Sequence, residues 1–424
     1  MPITIFDAIR DSISSFLGGA PVDLYLDEGG SSPPESGIHE RLTIEEKPYV
    51  FTADRSCLPF TQAEKKFCRE LLTAFAGLYS GFNLEGYAAH FRTALLASIM
   101  DITVARSLRG DHSKGFWPIQ QLIQLLKNLS YQRYEGKPAT TGFIVHRTTH
   151  EKIRSLVRQR KHYLFRLQPP QSVSTTFFAN PLTYRYIDGS NHFFLTNIQM
   201  QVTGVVRIGN TSFKSNVEQL TQRELFSIVS RAGAEAFAVT VNESSEIEVL
   251  TSPAKLLVRR KGGWAIFDPD IFRSFLADSI DPAAADDLLW TLYALSKSRH
   301  GTVIMIHSGG AKQLASLKKG SVGGDDPVGR LLINGVKGRT IMELKQAGTL
   351  LRLLSSDGIT VFNRSGKLVE TGFIIDTSHA HEIVSGGGRT TAASAASFFG
   401  RVIKVSQDGP IELYDTGKLI YRFG

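Results

Sequence analysis

Cysteine is nearly missing from this chain, with only Cys57 and Cys68 among 424 residues. Two thiols build no disulfide framework, and their i, i+11 spacing fits no zinc pattern, so a reducing, cytoplasmic setting is expected. Long apolar runs are missing too. The best candidate, Ala94 to Met100, is closed off by Arg92 and Asp101, well short of the ~18 residues of a membrane span. The first turns carry Asp7, Arg10 and Asp11 and lack the basic start and apolar middle of a secretory signal, so Ile3 to Leu17 reads as an amphipathic helix. No membrane partner is expected. Residue identity shows no internal repeat.

What remains is the composition of an ordinary folded protein, 42% hydrophobic and 21% charged, in a chain long enough for two or three domains. The net charge of +8 is uneven: 301–424 hold fifteen Lys and Arg against ten Asp and Glu. A basic terminal domain suits a polyphosphate ligand or nucleic acid, although a solvated basic surface explains the same surplus.

The sequence divides into four stretches: a mainly helical region over 1–130, an α+β region over 131–267, a helical connector over 268–299 and a last block over 300–424. Gly18 to Glu40 reads as loop, with a bend at Gly29–Pro34. Thr61-Gln62-Ala63-Glu64 is a capping box, opening a helix whose Phe67, Leu71, Leu72, Phe75 and Leu78 recur at helical spacing. Helices over Leu84–Leu108 and Ile119–Leu129 follow. From Gly142 the pattern turns to short β-rich runs around a basic helix over Glu151–Lys161. Leu256 to Phe267 reads as a hairpin about Gly262-Gly263, and Asp268 to Ser298 as helices broken at Asp281-Pro282.

In the last block, strands at His300–Ile306, Ile359–Phe362, Leu368–Ile375, Val402–Ser406, Ile411–Tyr414 and Leu419–Phe423 alternate with helical stretches. That rhythm indicates an α/β sheet covered on both faces. Two short pieces carry chemistry. Asp357-Gly358 is an acidic turn feeding a strand, and an oxygen ligand there suits a divalent metal. Gly386-Gly387-Gly388-Arg389 leads into a helix, whose first N–H groups and forked guanidinium suit phosphates. His307, His379 and His381 are further candidates for metal ligation.

The order of these pieces resembles the diadenylate cyclase domain, with which DNA-integrity-scanning proteins and related bacterial cyclases condense two ATP into cyclic di-AMP. The family's Asp-Gly-Ala motif stands here as Asp357-Gly358-Ile359. Its Gly-Thr-Arg-His-Arg stands as Gly387-Gly388-Arg389-Thr390-Thr391, and Arg401–Ser406 follows in place. The resemblance implies a mixed twisted sheet flanked by helices, with residues 1–250 as an N-terminal sensor region. It implies Asp357 and Arg389 as catalytic, Asp357 as the ligand of Mg²⁺ or Mn²⁺, and Gly358, Ile359, Gly387, Gly388, Thr390, Thr391 and Ser406 around the nucleotide. ATP is the expected substrate, in a homodimer or larger assembly with sites face to face; nucleic acid is not an expected partner. The family's His and second Arg are replaced by Thr390 and Thr391, which keeps open a degenerate domain that binds a nucleotide or second messenger without turnover.

Overall fold

The computed structural model describes residues 6–28, 37–44, 46–81, 98–109, 115–147, 150–158, 162–209, 215–252, 255–322, 326–377 and 387–424. They form two compact units, one of Met1–Thr211 with Arg223–Asp268, the other of Ser212–Gln222 with Pro269–Gly424. The expected helical and α+β stretches therefore share one unit, and the expected connector, after Asp268, is counted with the last block. The expectations at Gly29–Pro34, at Gly386, His379 and His381, and for the helix before Ser98 fall outside the described residues. Among those described, no helix is long and apolar enough to cross a membrane.

The first unit opens with the helix Asp7–Phe16, whose Ile9, Ile13 and Phe16 are buried, Phe16 stacking on Phe67 at 4.0 Å between ring centres. Strands β1 (Val22–Leu26), β2 (Ile38–Ile44) and β3 (Lys47–Ala53) form an antiparallel sheet in the order β1-β3-β2. Strand β1 lies inside the loop expected over Gly18–Glu40; its residues are half-buried or exposed and its pairing with β3 is made by backbone, so no apolar alternation marks it. The capping box is as expected: Glu64 N–H bonds Thr61 Oγ1 and Thr61 N–H bonds Glu64 Oε2. The Glu64 carboxylate also holds buried Arg55 through two bonds of 2.9 and 3.0 Å.

After the small ribbon β4 (Arg133–Tyr134) and β5 (Lys137–Pro138) comes the main sheet of this unit. Its strands are β6 (Thr141–His146), β7 (Tyr163–Ser172), β8 (His192–Asn197), β9 (Gln201–Arg207), β10 (Ala236–Val241), β11 (Ile247–Thr251), β12 (Lys255–Arg260) and β13 (Gly263–Phe267). Their order is β13-β12-β11-β10-β6-β8-β9-β7. Strand β6 is buried along its whole length, which is why Gly142–Val145 reads as a continuous apolar run. Asp101 ties three elements together: Oδ2 accepts from Lys127 Nζ (2.8 Å), and Oδ1 from Trp264 Nε1 (2.7 Å) and Arg259 Nε (3.3 Å). Burial alone would raise its carboxyl, but the bonds from Lys127 and Trp264 and the charges of Lys127 and Arg259 outweigh it and hold the carboxyl below the usual range.

The second unit begins with the helices Pro269–Leu276 and Pro282–Lys297, the latter capped by Asp281, which accepts from Ala283 N–H. Seven strands follow: β14 (Thr302–His307), β15 (Lys318–Ser321), β16 (Ile359–Phe362), β17 (Leu368–Ile375), β18 (Gly400–Val405), β19 (Ile411–Asp415) and β20 (Lys418–Phe423). The order is β15-β17-β16-β14-β18-β19-β20; β14 and β16 run parallel and the remaining neighbours antiparallel. The sheet is mixed and carries helices, an α/β arrangement of the kind the alternation of strands and helices predicts. Helix Gly388–Ala396 lies on it through Ala393, Ala395 and Ala396, packed with Val303, Met305, Val361 and Val402. Small side chains let the helix axis approach the sheet closely.

The helical periodicity from Thr340 to Leu354 resolves into two helices, Ile341–Gln346 and Leu350–Leu354. Gly348 at φ +69° separates them, its N–H returning to Lys345 O, a turn that favours glycine. The helix Pro327–Val336 escaped the sequence reading because it buries none of its residues, so its apolar positions follow no core.

Candidate functional site

The registers of the second sheet decide which residues meet. Val303 of β14 faces Ile359 of β16, and Thr302 faces Val405 of β18. The residues just before β14 and β16 and just after β18 (Gly301, Asp357-Gly358, Ser406-Gln407) therefore share one sheet edge. Helix Gly388–Ala396 starts at the same edge, because Arg389 Nη2 donates to Asp357 Oδ1 at 2.9 Å. The guanidinium also lies over Gly301: a Cβ there would sit 3.2 Å from Arg389 Nη1 and 2.9 Å from Gln407 Cγ. The two residues expected to be catalytic, 32 apart in sequence, thus touch. Both remain open to solvent, the Asp357 side chain at 76% and that of Arg389 at 37%.

The glycines divide by what surrounds them. Gly387 caps the helix with extended backbone, and a Cβ at Gly387 or Gly388 would meet nothing within 4 Å. Nothing in the packing demands glycine there; the loop end is simply open. Gly358 differs. It has φ +87°, and a Cβ would lie 2.6 Å from the Gly372 carbonyl carbon. Its glycine is required by the neighbouring β17 backbone. Ile359 sits in the core at 2% exposure, so only its backbone reaches the edge.

Behind the edge runs a polar chain. Lys404 Nζ donates to Thr390 Oγ1 and to Glu412 Oε2, both at 2.7 Å, and Tyr414 OH donates to the same Glu412 oxygen at 2.8 Å. Burial, and then the Glu412 charge and its hydrogen bond, push the Tyr414 phenol up, so the phenol stays a donor. Thr390 is thereby fixed by a lysine from the sheet. Thr391, half-buried, is one residue further along the helix. Ser406 closes the β18–β19 turn through its backbone, accepting from Gly409 N–H and donating to Pro410 O. The Lys404–Glu412–Tyr414 group was not singled out as a unit from sequence; its signal is a Lys, a Glu and a Tyr facing one side of two paired strands.

Metal chemistry meets one carboxylate at this edge. Among the described residues no three His, Cys, Asp or Glu gather as a cage, and none donates to Asp357 Oδ2. A Mg²⁺-type ion commonly takes one or two carboxylates and completes its shell with substrate phosphates and water, and Asp357 fits that minimal donor set. His307 lies elsewhere, its ring nitrogens against Phe399 O and Gly310 O at the far end of β14.

A cavity of about 720 Å³ in the same unit lies at the opposite end of β16, lined by Arg273, Asp281, Asp286, Arg364 and neighbours. It shares no residue with the Asp357 edge. Its charges are already engaged, Arg273 with Asp270 and Asp286, and Arg364 with the Asp278 carbonyl.

No protein-family model matches this chain, and no curated protein matches it. Among solved structures, a hypothetical membrane spanning protein from Bacillus cereus aligns over 36% of this chain and 70% of its own, with 16% identity and a TM-score of 0.27. A double mutant of DacA from Staphylococcus aureus aligns over 32% of this chain and 84% of its own, also with 16% identity and a TM-score of 0.24. At these TM-scores the likenesses carry no weight for fold or chemistry.

Proposed function

We propose that the second unit is a nucleotidyltransferase of the diadenylate cyclase type, condensing two ATP into cyclic di-AMP with release of two pyrophosphates. The observation that carries this reading is the meeting of Asp357 and Arg389 at one open sheet edge, beside a helix start lined by glycine. In the reaction a ribose 3′-hydroxyl gives up its proton to solvent as its oxygen attacks the α-phosphorus of the other nucleotide, the bond from that phosphorus to the bridging oxygen breaks, and pyrophosphate leaves with the electron pair; a second such step closes the ring.

The side chains divide the work. Arg389 turns its fork from Asp357 to the phosphates, where two parallel bonds orient them. The free N–H groups of Gly388 and Arg389 at the helix start add dipolar donors. Asp357, released from Arg389, offers its carboxylate to Mg²⁺ or Mn²⁺, which when bound supplies positive charge against the phosphates. Lys404, fixed by Glu412, holds Thr390 at the helix start and so positions the cradle. Ser406 completes the rim. Purified protein incubated with ATP and Mn²⁺ should yield cyclic di-AMP by mass spectrometry; absence of product with every nucleoside triphosphate tried would end the proposal.

A second reading is favoured by a specific observation: Arg389 and Lys404 both already hold a carboxylate, and threonines stand where the resembling family has His and Arg. In it the domain binds a nucleotide or cyclic dinucleotide and signals without turnover. Ligand-dependent thermal stabilisation with no product distinguishes it.

A further inference from the structure

Seven strands of the first main sheet follow the plan of the second, and the eighth, β13, has no counterpart there. Matched from the central strand outward, β6 stands as β14, β8 as β16, β9 as β17, β7 as β15, β10 as β18, β11 as β19 and β12 as β20. The one parallel pair falls at the same place in each, β6 with β8 and β14 with β16. Along the central strands the registers agree residue by residue: Thr141 faces Val241 as Thr302 faces Val405, and His146 faces Ala236 as His307 faces Gly400. Val241 faces Ile247 as Val405 faces Ile411.

The turns agree as well. Asn197 Oδ1 accepts from the N–H groups of Gln199 and Gln201, as Asn363 Oδ1 does from Ser365 and Lys367. Asn242 N–H reaches Glu246 O and Ser245 N–H reaches Asn242 O, repeated by Ser406 with Pro410 and Gly409 with Ser406. A shared strand order could arise twice; shared order, register and turn bonding together point to copying. The sequence reading found no repeat because what the copies share is mostly geometry.

The correspondence places the site residues onto the first copy. Counted back from the start of β10 and β18, Leu225 stands where Arg389 stands, and Leu225 is 0% exposed. Thr240 stands for Lys404, Asn242 for Ser406 and, by the Asn197 and Asn363 turns, Asn191 for Asp357. The three charges are gone. The first copy keeps an Asp-Gly, but the Asp188 carboxylate is taken by the N–H groups of Ser190, Asn191 and His192, at 2.8–2.9 Å. That loop also covers the edge: a Cβ on Gly189 would lie 2.3 Å from Thr141 O, so the backbone rests on the first residue of β6.

We infer that the chain is an internal duplication of one fold, and that the first copy takes no nucleotide, leaving one nucleotide per chain at the second. Resting on the reading above, this makes a two-nucleotide product the work of two chains, and makes the α+β part of the expected sensor region a copy with its site closed. Equilibrium dialysis of the full chain with α,β-methylene-ATP and Mn²⁺ tests it, since the methylene bridge blocks pyrophosphate release. One analogue per chain, weakened about tenfold or more by Arg389→Ala and unchanged by Asn191→Ala, is the expected result. Two per chain, or binding that Arg389→Ala leaves unchanged, overturns the inference. No binding to any of the three proteins counts against the proposed function, while leaving the first copy as empty as inferred.

Discussion

Replacing Asp357 by Asn separates chemistry from folding, and the structure sets both magnitudes. The pair it makes with Arg389 is 2.9 Å long, but the aspartate side chain is 76% exposed. Exposed pairs of this kind contribute about 0.2–1 kcal/mol. In a domain of roughly 150–250 residues that moves the melting temperature by no more than about 4 °C. Turnover should respond on another scale, because loss of one preorganised charge at a reacting phosphate typically costs on the order of 10²–10³ in rate. The assay is paired: cyclic di-AMP by mass spectrometry after incubation with ATP and Mn²⁺, and a melting curve of the same preparation. Turnover equal to that of the unsubstituted protein would refute the role given to Asp357. A collapse in melting temperature would refute the claim that the pair is a surface contact.

Other outcomes follow from named contacts. Glu64→Ala removes the return half of the capping box and leaves the buried Arg55 charge without its carboxylate, a loss of about 3–5 kcal/mol readable as a lower urea midpoint. Gly358→Ala forces a Cβ against Gly372 at positive φ and should cost about 1–3 kcal/mol, whereas Gly387→Ala, with open space around it, should leave the melting curve unchanged. Asp101→Asn should destabilise the protein at pH 7. The folded Asp101 carboxyl is held low, so its contribution is present above the unfolded value near 4 and lost as pH falls through the folded value. The stability gap between the two proteins should therefore close below about pH 4, measured by denaturant melts across pH.

Legibility in the sequence followed the kind of signal each element carried. Thr61–Glu64 announced a helix start and Asp281-Pro282 the break between two helices, because capping residues and proline act locally, whatever the tertiary context. β14 and β6 were legible as apolar runs because both their faces are buried. β1 and the helix Pro327–Val336 were not, since neither has a buried stripe to impose periodicity. At the site, the resemblance marked Asp357 and Arg389, and strand register together with the helix start brings the two into contact. The true constraint on Gly358 was hidden, because it lies in the backbone of Gly372, a strand away. The Lys404–Glu412 link depended on strand register, which no spacing rule gives for strands joined by a turn of unassigned length.

The ion pair of Asp357 with Arg389 has a consequence for how an anion is admitted. A bare basic groove attracts any polyanion, and its grip weakens steeply as salt displaces condensed counterions. Here the arginine is already paired, so under the proposed function a triphosphate would gain entry by trading partners: guanidinium to phosphate, carboxylate to the accompanying cation. Salt loosens the original pair along with the new one, and the two effects partly offset. Affinity for a triphosphate with its cation should then fall off gently with ionic strength, while a polyanion bringing no cation finds the arginine occupied.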